Sequence, residues 1–222
     1  MIYDTVIFDL DGTLLDTLGD LHLAVSYALK LNGLPERTLE EVRAFVGNGI
    51  LNLIKRAVPA GSSSEVVERV FADFKQYYKE HSMDNTAPYP GINKLVSDLK
   101  AEGIKLGVVS NKAHFAVTEI IEHYFSGMFD ISLGERDGVR KKPAPDAVLE
   151  AVRVLGGKHI LYIGDSEVDV ETARNAGVDS VMVTWGFRTS EELEAAGATD
   201  FADDTDCLYR IVKEGIYAYP AE

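Results

Sequence analysis

The chain has 222 residues, of which 46% are hydrophobic, and its 36 acidic and 22 basic side chains give a formal charge of −14. That length suits one large domain or a core with an inserted module, and a mean hydropathy of −0.04 marks a globular chain. The acidic balance argues against nucleic acid or an anionic membrane surface as partner, and it also opposes any phosphorylated ligand, so an anion site has to be made positive locally.

The first element is the apolar run Val6-Ile7-Phe8, which reads as a buried strand running into Asp9, Asp11 and Gly12. Leu18, Leu21, Val25, Ala28 and Leu29 then recur at helical spacing up to Asn32-Gly33. A second helix starts at Thr38, which with Glu41 has the spacing of a capping box, and stops at Gly47-Asn48-Gly49. Ile50, Leu51, Ile54 and Val58 share a face of a third helix closed by Pro59, and Val66 to Tyr78 gives a longer fourth. Residues 16–85 therefore read as purely helical.

Pro88, Pro90 and Gly91 end that pattern, and strands then alternate with helices. The expected order is a helix to Glu102, a strand Ile104 to Ser110, a helix across Phe115 and Ile121, and a short strand around Ile131. A helix Asp146 to Leu155, a strand Ile160 to Gly164, a helix ending at Gly177 and a strand Val181 to Thr184 follow. The tail adds a helix near Glu191, with a capping-box spacing at Thr189 and Glu192, a short strand near Phe201 and a helix across Leu208 and Val212. This order predicts an α/β fold: a doubly wound, Rossmann-like parallel-sheet core formed by 1–15 and 86–222, with an all-helical cap inserted at 16–85.

Cys207 is the single cysteine, which excludes an internal disulfide and fits a reducing compartment. No stretch approaches membrane-spanning length, and MIYDTVIFDL has neither a charged n-region nor a cleavage-like segment. A cytoplasmic protein is expected, with no membrane partner.

Side chains alternate along an extended segment, so Asp9 and Asp11 leave the backbone toward the same side. Two carboxylates held so close repel, and a divalent cation relieves the repulsion. An aspartate can also act as a nucleophile that takes a phosphoryl group. The alternative is a pair of turn formers ahead of Gly12. Three further pieces follow in order: Ser110-Asn111 after LGVV, Lys142-Pro-Ala-Pro-Asp146, and Gly164-Asp165 with Asp169 four residues on. Asp9, Asp11, Ser110, Asp165 and Asp169 all fall at or just after strand ends, where open α/β sheets bind ligands.

With DLDGT, these pieces make the sequence resemble the haloacid dehalogenase superfamily, in its phosphoglycolate phosphatase-like branch. The resemblance implies an Mg²⁺-dependent phosphatase in which Asp9 is the nucleophile and Asp11 first protonates the leaving oxygen and then activates water. It implies that Asp9, the Asp11 carbonyl and Asp165 ligate Mg²⁺ with support from Asp169. It further implies that Gly12, Thr13, Ser110, Asn111 and Lys142 hold the phosphate and that Lys142 offsets charge on the nucleophile. Ser110-Asn111 also reads as a helix N-cap, Lys141-Lys142 as a solvated pair, and Asp169 as a partner of a helix dipole.

By the same resemblance the cap hinges near Leu14 to Leu18 and Thr86 to Gly91, and Gly47, Asn48 and Gly49 form a loop that selects substrate; an ordinary helix-terminal turn is the other reading. Arg43, Lys55 and Arg56 are candidates to meet a substrate carboxylate. Asp11 argues against carbon dehalogenation and phosphonate cleavage. His22 lies one residue off the position where related sugar phosphomutases carry a histidine, and is expected to be a partly exposed cap residue. The partner is then a small phosphorylated metabolite, first of all 2-phosphoglycolate, with pyrophosphate and sugar phosphates (by hydrolysis or mutase chemistry) as alternatives. A receiver-like signalling module phosphorylated on Asp9 is the non-enzymatic alternative, poorly served by a long insertion. A monomer or homodimer is expected.

Overall fold

The computed structural model describes residues 2–47 and 49–216. The chain divides into two compact units, one made of 1–14 with 88–222 and the other of 15–87.

The first unit is built on strand β1 (Thr5–Phe8), in which every residue is buried because the strand lies in mid-sheet. The second unit follows β2 (Leu15–Asp16) with four helices: α1 (Leu18–Leu31), α2 (Leu39–Phe45), α3 (Ile50–Ala57) and α4 (Ser64–His81). Strand β3 (Ala87–Pro88) pairs with β2 in a separate two-stranded sheet. The chain then runs through α5 (Ile92–Ala101), β4 (Lys105–Ala113), α6 (His114–Phe125), β5 (Ile131–Glu135), α7 (Asp146–Leu155), β6 (Ile160–Gly164) and α8 (Glu167–Ala176). Strand β7 (Asp179–Val183), α9 (Ser190–Ala195), β8 (Phe201–Ala202) and α10 (Thr205–Glu214) complete it.

The main sheet has the order β5-β4-β1-β6-β7-β8, and its paired strands are parallel. The chain thus enters at the middle of the sheet, lays two strands on one side of β1 and three on the other, and reverses direction at β1, where a doubly wound sheet leaves a crevice. Alternation along β1 sends successive side chains to opposite faces. Ile7 packs with Val148, Ala151 and Leu155 of α7, while Phe8 meets the ring of Phe129 edge-on at 6.1 Å, and Phe129 in turn meets Phe125 of α6. Helices therefore cover both faces, as the α/β alternation predicts.

In the helical unit the apolar stripes of α1 and α4 are buried through Val25, Ala28 and Leu29 and through Val70, Phe74 and Tyr78. The rings of Tyr27 and Tyr77 stack at 4.3 Å, and Asn32 at the end of α1 donates to Asp73 Oδ2 at 2.7 Å. Asp20, in the first turn of α1, is 2% exposed. It accepts from the Asn85 backbone and side chain and from the Thr86 backbone and hydroxyl at 2.8–3.0 Å. Nothing local in the sequence announces this clasp, because its two sides are 65 residues apart.

Two elements differ from expectation. The strand expected to end at Ser110 runs on to Ala113, pairing Ala113 with Glu135 after a register shift. Ser110 is consequently no helix cap: its hydroxyl accepts from the Lys112 N–H at 3.1 Å, and Ala113 stands at the head of α6 with no side-chain cap. The β2–β3 pair was not expected either, since two residues carry no readable period. The capping boxes at Thr38–Glu41 and Thr189–Glu192 are both formed.

Candidate active site

Strands β1, β4 and β6 end side by side, and each delivers polar groups to the same place. Asp9 follows β1 directly, and its Oδ1 accepts from the Leu10 N–H at 2.7 Å, which turns the carboxylate back over the strand end. Asp165 follows β6, with Oδ1 accepting from the Thr13 hydroxyl at 2.9 Å and Oδ2 from the Phe187 N–H at 2.8 Å. Asp169 sits one turn into α8 and is fully buried. Each of these three can offer an oxygen within 4.8 Å of the others.

Lys142 lies among them. Its ammonium is 2.8 Å from Asp9 Oδ1 and 2.8 Å from Asp169 Oδ1, and it donates to the Tyr162 hydroxyl at 3.0 Å. That hydroxyl donates onward to Asp169 Oδ1 at 2.8 Å. The other oxygen of Asp169 accepts from Ser166 Oγ at 2.5 Å and from the Ser166 and Asp165 N–H groups at 3.1 and 3.3 Å. Lys141, by contrast, is exposed, so the doublet resolves as one inward and one outward lysine.

Close backbone approach makes room for Asp165. Gly12 has φ +86°, and a Cβ there would lie 2.2 Å from Asp165 Oδ2. A Cβ on Gly186 would meet the Asp165 Cβ at 2.3 Å. Asn111 ties two loops of the site together by donating from Nδ2 to the Lys142 carbonyl at 3.0 Å.

Burial and like charge set the proton affinities. Burial first, and the neighbouring Asp169 charge next, raise Asp9 well above the usual carboxylate range against the pull of Lys142. Asp165 is pushed up to about 7 by burial and then by Asp169. Burial would raise Asp169 too, but Lys142, Ser166 and Tyr162 outweigh it and hold that carboxyl low. Lys142 is raised well above its ordinary value because Asp169 and Asp9 overcome its desolvation, and Tyr162, raised by burial, stays a hydroxyl donor.

Three buried carboxylates against one ammonium leave an excess of negative charge among hard oxygen donors, which a small divalent cation fits. Asp11 does not join this group through its side chain. Its Oδ1 is instead 2.8 Å from the Lys112 ammonium, which is itself buried.

Most of the residues singled out by sequence thus converge: Asp9, Asp11, Gly12, Thr13, Ser110, Asn111, Asp165 and Asp169 stand at or just past the ends of β1, β4 and β6, and Lys142 reaches them from the segment between β5 and α7. Lys112 and Tyr162 were missed. Lys112 lies past the apolar run that ends at Ser110 and so carries no strand signal, and Tyr162 reads as one more apolar position of β6. Gly47 and Gly49 lie in the helical unit, in the turn between α2 and α3 at φ +122° and +81°, and Asn48 falls outside the described residues. Lys55 and Arg56 are exposed, and Arg56 donates to the Phe45 carbonyl at 2.9 Å. His22 is half-buried and hydrogen-bonds through Nε2 to the Arg37 carbonyl at 3.0 Å.

A doubly wound parallel sheet whose central strand runs into a buried aspartate, with two further buried aspartates and a buried lysine in contact with two of the three, defines an α/β protein with an acidic site that could hold a metal ion. A family model for haloacid dehalogenase-like hydrolases matches residues 6–183, and the chain belongs to that family. Among curated proteins it is similar to the phosphoglycolate phosphatase of Aquifex aeolicus, with 35% identity over 82% of this chain and 85% of that one. It is also similar to that of Cereibacter sphaeroides, with 33% identity over 92% and 97%. A solved chain from Lactobacillus delbrueckii subsp. bulgaricus superposes with a TM-score of 0.90 at 39% identity, covering 96% of this chain and 99% of that one. A predicted phosphoglycolate phosphatase from Haemophilus somnus gives a TM-score of 0.87 at 28% identity, over 95% and 98%. Within the family the chain is an enzyme of the phosphatase kind. No helix of the described residues is long and apolar enough to cross a membrane.

Proposed function

We propose that this enzyme hydrolyses a small-metabolite phosphomonoester with Mg²⁺ as cofactor, through a phosphoryl-aspartate on Asp9, and that 2-phosphoglycolate is its substrate. The observation that carries the reaction is the contact of Lys142 with both Asp9 and Asp169 inside a cluster of three buried carboxylates. The substrate rests on the names of the similar proteins.

In this reading Asp9 attacks phosphorus and the bond to the ester oxygen breaks, while Asp11 gives that oxygen a proton. Asp11 then takes a proton from water as the water attacks the acyl phosphate, which restores Asp9 and releases phosphate. Lys142 holds Asp9 in place and sets a positive charge beside the transferring group. Ser110, Asn111, Gly12 and Thr13 supply donors and close backbone to the phosphate oxygens. The Asp9 and Asp165 carboxylates and the Asp11 carbonyl would hold Mg²⁺, with Asp169, saturated by five donors, fixing Lys142 and the loop at Asp165. When bound, the cation supplies the positive charge that keeps the carboxylates ionised and stabilises the phosphoryl oxygens.

The single cysteine supports a cytoplasmic location and the acidic balance a dissolved metabolite rather than a nucleic acid as partner, and the enzyme is proposed to act there as a monomer or homodimer. The test is phosphate release from a panel of 2-phosphoglycolate, pyrophosphate and hexose phosphates, with and without Mg²⁺, by the native protein and Asp9→Asn. Steady Mg²⁺-dependent turnover of 2-phosphoglycolate above the others, lost in the variant, is expected. Full activity in Asp9→Asn would remove the nucleophile, and a better pyrophosphate or sugar phosphate would replace the substrate.

A further inference from the structure

A phosphatase specific for an anionic leaving group needs a positive charge on the leaving-group side of the ester, and the chain's net charge makes that charge scarce. Lys142 is enclosed by Asp9, Asp169 and Tyr162, so its charge is committed to the transferring side. Arg188 is buried but bound to Glu167 at 2.8 Å, and Lys141 is exposed near Glu135. Lys112 is paired as well, but its partner is Asp11. This lysine lies in β4 two residues past Ser110, is only 8% exposed, and holds its ammonium 2.8 Å from Asp11 Oδ1.

Asp11 is the group that meets the ester oxygen, so a cation in contact with Asp11 is placed beside the leaving group. In 2-phosphoglycolate the carboxylate oxygens lie about 2.6–3.6 Å from the ester oxygen, from ordinary bond lengths. That is within the swing of a lysine already anchored at Asp11. The continuation of β4 through Lys112 is what brings it there: had the strand ended at Ser110, the lysine would belong to a helix start.

We propose that Lys112 is the specificity-determining cation for the leaving group, taking the substrate carboxylate beside the ester oxygen while it flanks Asp11. This rests on the phosphomonoesterase reading above and assigns to the sheet, rather than to Arg43, Lys55 or Arg56 of the helical unit, the donor that a carboxylated substrate requires. A charge-assisted hydrogen bond of this kind is worth roughly a ten- to hundredfold preference.

The experiment compares 2-phosphoglycolate with 2-hydroxyethyl phosphate, which has the same ester and chain length but no carboxylate, in native protein, Lys112→Met and Lys112→Arg with Mg²⁺ present. The native enzyme should prefer 2-phosphoglycolate. Lys112→Met should lose activity on both esters, since Asp11 loses its partner, and in addition lose about ten- to hundredfold of the preference through a raised KM for 2-phosphoglycolate. Lys112→Arg should keep most of the preference. Equal losses on both esters with the preference intact would show that Lys112 only positions Asp11, and would overturn this inference while leaving the substrate reading standing. A native enzyme without preference for the carboxylated ester would overturn both. Should Lys112→Met not fold, Lys112→Gln takes its place. Native protein hydrolysing 2-hydroxyethyl phosphate should also be inhibited competitively by glycolate and not by ethylene glycol; equal insensitivity to the two would refute an anion subsite.

Discussion

Asp20 in the helical unit and Asp165 in the sheet unit are both aspartates withdrawn from water near a helix start, yet their surroundings move them in opposite directions. Burial would raise Asp20, but donors from Asn85 and Thr86 outweigh it and hold its carboxyl below the ordinary range. Asp165 has one hydroxyl and one N–H to accept from and another carboxylate close by, and it is pushed up to about 7. A carboxylate surrounded by neutral donors stabilises the fold as an anion, whereas one crowded by like charge holds affinity for something that the chain does not itself supply. The two sites show how the same residue type becomes a fastener in one place and, under the proposed function, a metal ligand in another.

The contrast breaks most sharply at Asp9, the proposed nucleophile. Asp9→Asn keeps the shape of the site and removes its reacting oxygen, and turnover should fall by on the order of 10⁴-fold or more, measured as phosphate release. Lys142→Met removes the one ammonium between Asp9 and Asp169. Leaving buried carboxylates without their partner costs about 3–5 kcal/mol, so a large drop in both urea midpoint and kcat is expected; an unchanged midpoint would mean that the pair contributes nothing to the fold.

Asp20→Ala should come next, with a loss of about 3 kcal/mol from several orphaned donors, read as a lower Tm. The direction of its shift adds a pH signature. Because the folded pKa lies below the unfolded one, the contribution is complete above about pH 4 and disappears as pH falls through the folded value. The gap between native protein and Asp20→Ala should therefore close in acid.

Asp165→Asn should do the reverse in metal-free protein, raising stability by about 1–2 kcal/mol while abolishing activity. A group whose folded pKa is raised costs stability as pH climbs from its unfolded value, near 4, to its folded one, about 7. The variant's advantage should thus open over that range and vanish below it, and Mg²⁺ should stabilise the native protein more than the variant. Denaturant titrations at two pH values, with and without the ion, check both signs.

The same comparison separates what the sequence displays from what it hides. The aspartates and lysine of the sheet unit were legible because strand ends and short motifs are local, and α7 and β6 begin and end where their apolar patterns do. Asp20 was invisible, since an aspartate near a helix start reads as ordinary and its partners come from the far end of the insertion. Lys112 was hidden by a strand that outlasts its apolar run. Ser110 and Asn111 look like helix-capping residues, and only the pairing of Ala113 with Glu135 makes them part of β4.

The strand order has a consequence for how the protein is made. Strand β1 leaves the ribosome first but lies between β4 and β6, so its hydrogen-bonding edges wait for residues near 105 and 160. Asp9 gains its lysine only with residue 142 and its last buried neighbour only with residue 169. A nascent chain therefore carries Asp9 through three quarters of synthesis before its buried partners exist, and under the proposed mechanism a product truncated short of α8 is expected to be inactive.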